Sequence, residues 1–283
     1  MLRFSKIAPL IFGMLGVCGW PQVWADANQD LFNAAARGNE GAVRSALLAG
    51  ADANARNAHG RTPLMAAIFY GNQSIIKLLL AEGADVNVAD KFGRTALVEA
   101  ALRPDVAMFT TLLERGGDVN AKAEDGVTAL INATFSGNME IFQLLIAKGA
   151  DVKAKNKEGL TALHHAAHFG RLDMLKQLLA KGAPINAQAA DGSTPLMLAA
   201  AQNQVDTVET LLDFKADYQL KTTADMTALQ TAQAAGHKKV VKLLENADEK
   251  AKEDKEKDEK AKAEAGGDKK EVEKTEPKPA EKK

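Results

Sequence analysis

The chain has one cysteine, Cys18, and two tryptophans, Trp20 and Trp24, in 283 residues. All three lie in an N-terminal stretch that reads as removable, which would leave no thiol nucleophile and no thiolate metal site. Formal charge is balanced at −1, so no global basic field draws in nucleic acid or an acidic membrane. The one long apolar run, Ile7 to Cys18, falls short of the roughly 20 residues that a membrane-spanning helix needs. Catalytic signatures are missing as well. There is no Gly-rich phosphate loop, no nucleophile motif, and no carboxylate pair that stands out from the charged surface. These absences turn the reading away from an enzyme.

The two ends differ from the middle. Arg3 and Lys6 precede the apolar run, and Val23-Trp24-Ala25 offers a small residue at a cut site. That is the pattern of a secretory signal over 1–25, with the mature chain starting at Asp26. An uncleaved anchor and lipidation at Cys18 stay open as alternatives, although Val17 stands where a lipoprotein signal wants a small residue. An exported protein without cysteine needs no oxidising compartment for its stability. From Asp248 to Lys283 the composition is almost all Lys, Glu and Ala, with Gly266-Gly267, Pro277 and Pro279 as breaks. No apolar stripe runs through it. The segment 248–283 therefore reads as a disordered tail, with transient helix around Glu253–Ala265 supported by pairs such as Glu253/Lys257 and Glu256/Lys260. Its roles are a solubilising tail or a spacer, stiffened at Glu276-Pro277-Lys278-Pro279.

What fills 26–247 is one phrase repeated at a fixed interval. Thr62-Pro63-Leu64 recurs as Thr95-Ala96-Leu97, Thr128-Ala129-Leu130, Thr161-Ala162-Leu163, Thr194-Pro195-Leu196 and Thr227-Ala228-Leu229, each 33 positions on. A constant period means one structural unit copied and stacked, because a single unit of this size cannot bury its own apolar face. Within 57–90, Ala58-His59-Gly60-Arg61 is a turn signal. Thr62 and Pro63 suit a helix start. Leu64, Ala67 and Ile68 share one helical face, and Gly71 ends that helix. Ile75 to Leu80 predicts a second helix that is apolar nearly all round and so lies between neighbours; Gly83 ends it.

Gly-x-Thr-Pro-Leu-x-x-Ala followed by Leu-Leu-x-x-Gly-Ala-Asp-Val-Asn resembles the ankyrin repeat. The best copy is Gly159-Leu160-Thr161-Ala162-Leu163-His164-His165-Ala166-Ala167. The resemblance covers Asp26 to Asn246 in seven repeats, and it implies an all-α ankyrin-repeat solenoid of helix-turn-helix units with short, protruding, β-hairpin-like loops. The first repeat lacks its opening loop, as an N-terminal cap would. The last has a wet side made by Lys238, Lys239, Lys242 and Glu245. Four positions depart from the pattern: Pro104, Asn203, Lys215 and Asp225 each stand where Gly is expected. They predict local irregularity in the third, sixth and seventh repeats, and lower stability toward the C-terminal end.

In that family the partner-binding surface is made of loop tips and the exposed ends of first helices. Carried over position by position, the resemblance assigns it to His59, Arg61, Phe69, Tyr70, Phe92, Arg94, Leu102, Arg103, Phe135, Leu160, His168 and Phe169. Aromatic residues beside arginine are what interface centres favour. The alternative is that some of these rings pack between neighbouring repeats. His164 and His168 have a spacing seen in zinc sites, with His165 beside them. However, no cysteine survives cleavage, no carboxylate is suitably spaced, and His164 stands where the family uses histidine structurally. The expectation is no metal and no cofactor, another protein as partner, no nucleic acid, no membrane insertion after cleavage, and a monomer. The signal predicts the bacterial periplasm, with secretion as the alternative. A scaffold or helper in the envelope, an immunity protein that neutralises a toxin, and a host-directed effector all fit this reading.

Overall fold

The structure is a computed structural model; it describes residues 20–267. Most of the expected signal and residues 268–283 of the expected tail lie outside the described residues. The chain divides into two compact bodies, 1–157 and 158–283. The first holds four helix pairs: α1 (Trp20–Arg37) with α2 (Glu40–Leu48), α3 (Pro63–Tyr70) with α4 (Gln73–Ala81), α5 (Ala96–Ala100) with α6 (Val106–Glu114), and α7 (Ala129–Ser136) with α8 (Met139–Ala147). The second holds three: α9 (Ala162–His168) with α10 (Leu172–Ala180), α11 (Pro195–Ala201) with α12 (Val205–Asp213), and α13 (Ala228–Ala234) with α14 (Lys238–Gly267). The expected cut after Ala25 falls inside α1. No strand forms among the described residues, and no helix there is long and apolar enough to cross a membrane.

After α1, each first helix starts behind a threonine at the N-cap. The Thr62 hydroxyl accepts the Met65 N–H at 3.2 Å, Thr95 that of Val98 at 3.4 Å, and Thr128 that of Ile131 at 3.3 Å. A side-chain acceptor at this point satisfies an N–H that the helix cannot. The apolar face then disappears from solvent: Leu64, Ala67 and Ile68 are fully buried, and Ile75, Ile76, Leu79 and Leu80 of α4 nearly so. Each of these side chains stabilises the fold by roughly 1.5–3 kcal/mol relative to exposure, Ala67 excepted.

The loops between pairs form the second bonding system. Each closes on itself, as in Asp90 N–H to Arg94 O at 2.9 Å, and each donates to the loop before it. In the first body the Lys91 N–H reaches His59 O at 3.0 Å, Glu124 reaches Phe92 O at 2.8 Å, and Lys157 reaches Asp125 O at 2.6 Å. In the second, Ala190 reaches Glu158 O and Thr223 reaches Asp191 O, both at 2.8 Å. The hairpin-like loops are thus a ladder of backbone bonds, with one isolated bridge between Lys122 and Thr128. Asparagines at the other end of four repeats, Asn54, Asn87, Asn120 and Asn186, add stitches. The Asn87 side chain accepts the Asp118 N–H at 2.8 Å and donates to Gly116 O at 2.9 Å.

The four departures from the repeat resolve differently. At Pro104 the helix is cut short: α5 has 5 residues, ends at Ala101 in a right-handed conformation, and leaves through Leu102 and Arg103. Asn203, Lys215 and Asp225 instead adopt the positive φ of the missing glycines, at 54°, 65° and 61°. The expected irregularity is therefore present in the third repeat. In the sixth and seventh the backbone path is kept, because an L-residue can enter the left-handed region at a local cost. The tail also differs from the expectation. The boundary at 247/248 lies within α14, which runs unbroken to Gly267. Asp248 pairs with Lys252 at 2.7 Å and Glu253 faces Lys257 at 3.9 Å, so the anticipated spaced charges lie along helix.

Gly93 shows what the loop ladder demands. Its φ is +70°, and a Cβ there would lie 2.8 Å from the Glu124 backbone nitrogen of the next loop. Asp225 occupies the equivalent place in the last loop, where no further repeat follows. Gly93→Ala should therefore destabilise by at least about 1–2 kcal/mol in urea unfolding. Asp225→Gly should be neutral or stabilising by up to about 1 kcal/mol. Equal losses at both would mean that close backbone approach is not the constraint.

Candidate functional site

In the first body, the loop tips and first-helix ends place seven of the sequence-assigned residues in or beside two contact networks, each built on a buried acid, Glu99 or Asp90. Glu99, on α5, is only 8% exposed. One terminal nitrogen of Arg61 donates to both of its oxygens, at 2.6 and 2.8 Å. The Arg61 guanidinium also lies over the Phe69 ring, 5.2 Å from its centre, and that of Arg103 lies over the same ring at 4.8 Å. Phe69 meets Tyr70 edge to face at 5.0 Å. Leu102, beside Arg103 on the turn forced by Pro104, is exposed. One loop further, Arg94 grips the Asp90 carboxylate through Nε at 3.0 Å and a terminal nitrogen at 2.8 Å, and its guanidinium covers Phe92 at 5.1 Å.

The rings remain accessible despite these contacts. Phe69, Phe92 and Phe135 are 42, 54 and 50% exposed, and Tyr70 61%. His59 is exposed at a loop tip, while Arg61, Arg94 and Arg103 are half-buried. The second body holds the remaining three. Leu160 and His168 are half-buried, and Phe169 is 37% exposed with its ring edge-on to His168 at 4.6 Å.

The histidine cluster divides into different roles. His164 is buried, its Nδ1 accepts the Thr161 N–H at 3.1 Å, and its Nε2 meets Ser193 O at 3.2 Å. With both ring nitrogens engaged it fastens two loops of the second body and has no lone pair for a metal. Burial, then the neighbouring His168, hold the His165 imidazole below its ordinary pKa. Among the described residues, no group of three or more His, Cys, Asp or Glu could hold a metal ion.

The two acids of the first body were not singled out from sequence. Burial pushes the Glu99 carboxyl above its ordinary value; Arg61, and at longer range Arg94 and Arg103, oppose that without overcoming it. Asp90 goes the other way. Burial disfavours its charge, but the Arg94 side chain and the Arg94 and Phe92 N–H groups together hold the carboxyl below its ordinary range. The register carried a signal for Glu99. It stands at the position taken by Ala66, Asn132, His165, Leu198 and Thr231 in the other repeats, and it is the only acid there.

Compared with known protein families, the chain matches Ankyrin repeats in three copies, over residues 31–123, 104–189 and 172–254. A search of curated proteins finds no match.

The two acids predict opposite pH signatures. Asp90 has a native pKa below the unfolded value, so its stabilisation is present above about pH 3.8 and lost as pH falls through and below it. Asp90→Ala should cost about 1–3 kcal/mol at neutral pH and much less in strong acid. Glu99 has a native pKa above 4.5, so stability falls as pH rises through the interval between 4.5 and the native value. Glu99→Gln should abolish that falling slope. Urea unfolding from strong acid to neutral pH reads both.

Proposed function

Since the chain belongs to the ankyrin-repeat family, and ankyrin repeats generally bind other proteins, we propose that it is a non-catalytic module that captures a partner protein in the bacterial cell envelope. The observation that carries this is the patch of accessible rings beside arginines in the first body: Phe69, Tyr70 and Phe92 with Arg61, Arg94 and Arg103, to which the exposed ring of Phe135 on the same body is added. Large rigid rings bury much area at small entropic loss, and arginine adds directional bonds. His59 and Leu102 extend the patch, and Leu160, His168 and Phe169 add a second contact region on the other body. Backbone bonds hold the loops, so side chains at the tips are free to serve recognition. Export is supported by the signal pattern over 1–25, and the periplasm is its destination.

The test uses the full chain produced with its own N-terminus in a Gram-negative host. Substituting Phe69, Tyr70, Phe92 and Phe135 together by serine should reduce capture of the partner from envelope extract by tenfold or more, with helical content by circular dichroism unchanged. Unchanged capture overturns the assignment of the patch. Recovery in the osmotic-shock fraction supports the periplasm; recovery in the medium or the cytosol overturns it.

A further inference from the structure

We propose that the patch around Phe69 recognises an acidic side chain flanked by an apolar one on an extended stretch of the partner, with Arg103 taking the carboxylate. This rests on the partner-binding reading of the same face. Three guanidiniums surround the patch, but two are already committed. Arg61 is spent on both oxygens of Glu99, and Arg94 on Asp90 through a two-nitrogen fork. Arg103 enters no ion pair among the described residues; its guanidinium lies over Phe69 with five donors to satisfy. Among these five groups, three cations against two anions leave one positive charge, on the half-buried Arg103 beside Phe69. A carboxylate is the group that complements it, by a charge-assisted and directional bond.

The flanking group follows from what surrounds that charge. Tyr70, Leu102 and Phe69 are 61, 46 and 42% exposed and border it. A neighbouring aromatic or aliphatic side chain on the partner would cover them. Pro104 fixes the arrangement, because it ends α5 early and sets Arg103 on a short turn. A nucleic acid suits the site poorly. A phosphate chain needs a run of cations, whereas two of the three guanidiniums here are already paired with Glu99 and Asp90.

The experiment selects a displayed library of random twelve-residue peptides on the full chain. The enriched peptides should carry Asp or Glu within two residues of an aromatic or aliphatic residue. Against the best of them, Arg103→Gln should weaken binding tenfold or more in fluorescence anisotropy, Arg103→Lys should retain part of it, and Arg103→Glu should shift a fresh selection toward Lys- and Arg-containing peptides. Melting curves verify that each variant is folded; Arg103→Gln suffices if the reversal does not fold. A pool without acid enrichment, no enriched pool, an unchanged affinity for Arg103→Gln, or tighter binding of a thymidine twelve-mer each overturns the proposal. If the serine-substituted patch loses its envelope partner while Arg103→Gln keeps it, partner binding stands and acid recognition falls. If both variants keep it, both readings fall.

Discussion

Main chain meeting main chain at the loops is the constraint from which the rest follows. Each repeat is too small to bury Leu64-type and Ile75-type side chains by itself, so it needs a neighbour in a fixed register. That register is set where one loop donates to the next, as Glu124 does to Phe92 at 2.8 Å. The contact is so close that a Cβ at Gly93 would strike it. A bond between backbones makes no demand on side-chain identity. The sequence must supply only a small residue at the crossing, an N-cap threonine five positions or fewer away, and apolar residues in the helices.

The consequence is a division of labour within 33 residues. Positions that hold the register repeat, and those beside them vary freely. Asp52, Asp85, Asp118 and Asp151 recur with the scaffold, and each caps its own turn by accepting the N–H two residues on, as Asp118 does from Asn120 at 2.9 Å. Glu99 occupies a position that no scaffold bond requires. Its neighbours in register are Ala, Asn, His, Leu and Thr. A charge accepted there, against the burial that raises its pKa, is a property of this chain rather than of its architecture.

Periodicity made the helices, their caps and the exposed tips legible, because each depends on local spacing. Thr62, Gly71 and Phe69 could be placed from their positions within one repeat. It could not show what Pro104 does, since that depends on how the chain leaves a shortened helix, nor the Arg61–Glu99 pair, whose members are 38 positions apart in different repeats. Asn203, Lys215 and Asp225 stand at glycine sites and take up the glycine conformation, so the disturbance at these positions is smaller than the pattern implies: the residue bears the strain. The helix that enters the tail has a related cause. A polar segment without an apolar stripe has no reason to nucleate a helix, but this one inherits a nucleus from Val240 and Leu244, both buried in the last repeat.

The Arg61–Glu99 pair is then better understood as positioning than as stability. Taking both charges from water offsets much of their attraction, so such a pair seldom adds net stability over apolar packing. What it does is hold the Arg61 guanidinium against Phe69, and so fix the ring that Arg103 also covers. A ring clamped from below loses little freedom when a partner lands on it, which reduces the entropic penalty of binding. The stability forgone at Glu99 thereby becomes pre-organisation of an accessible surface. That exchange is open only to a scaffold whose backbone ladder and apolar helices already hold the fold.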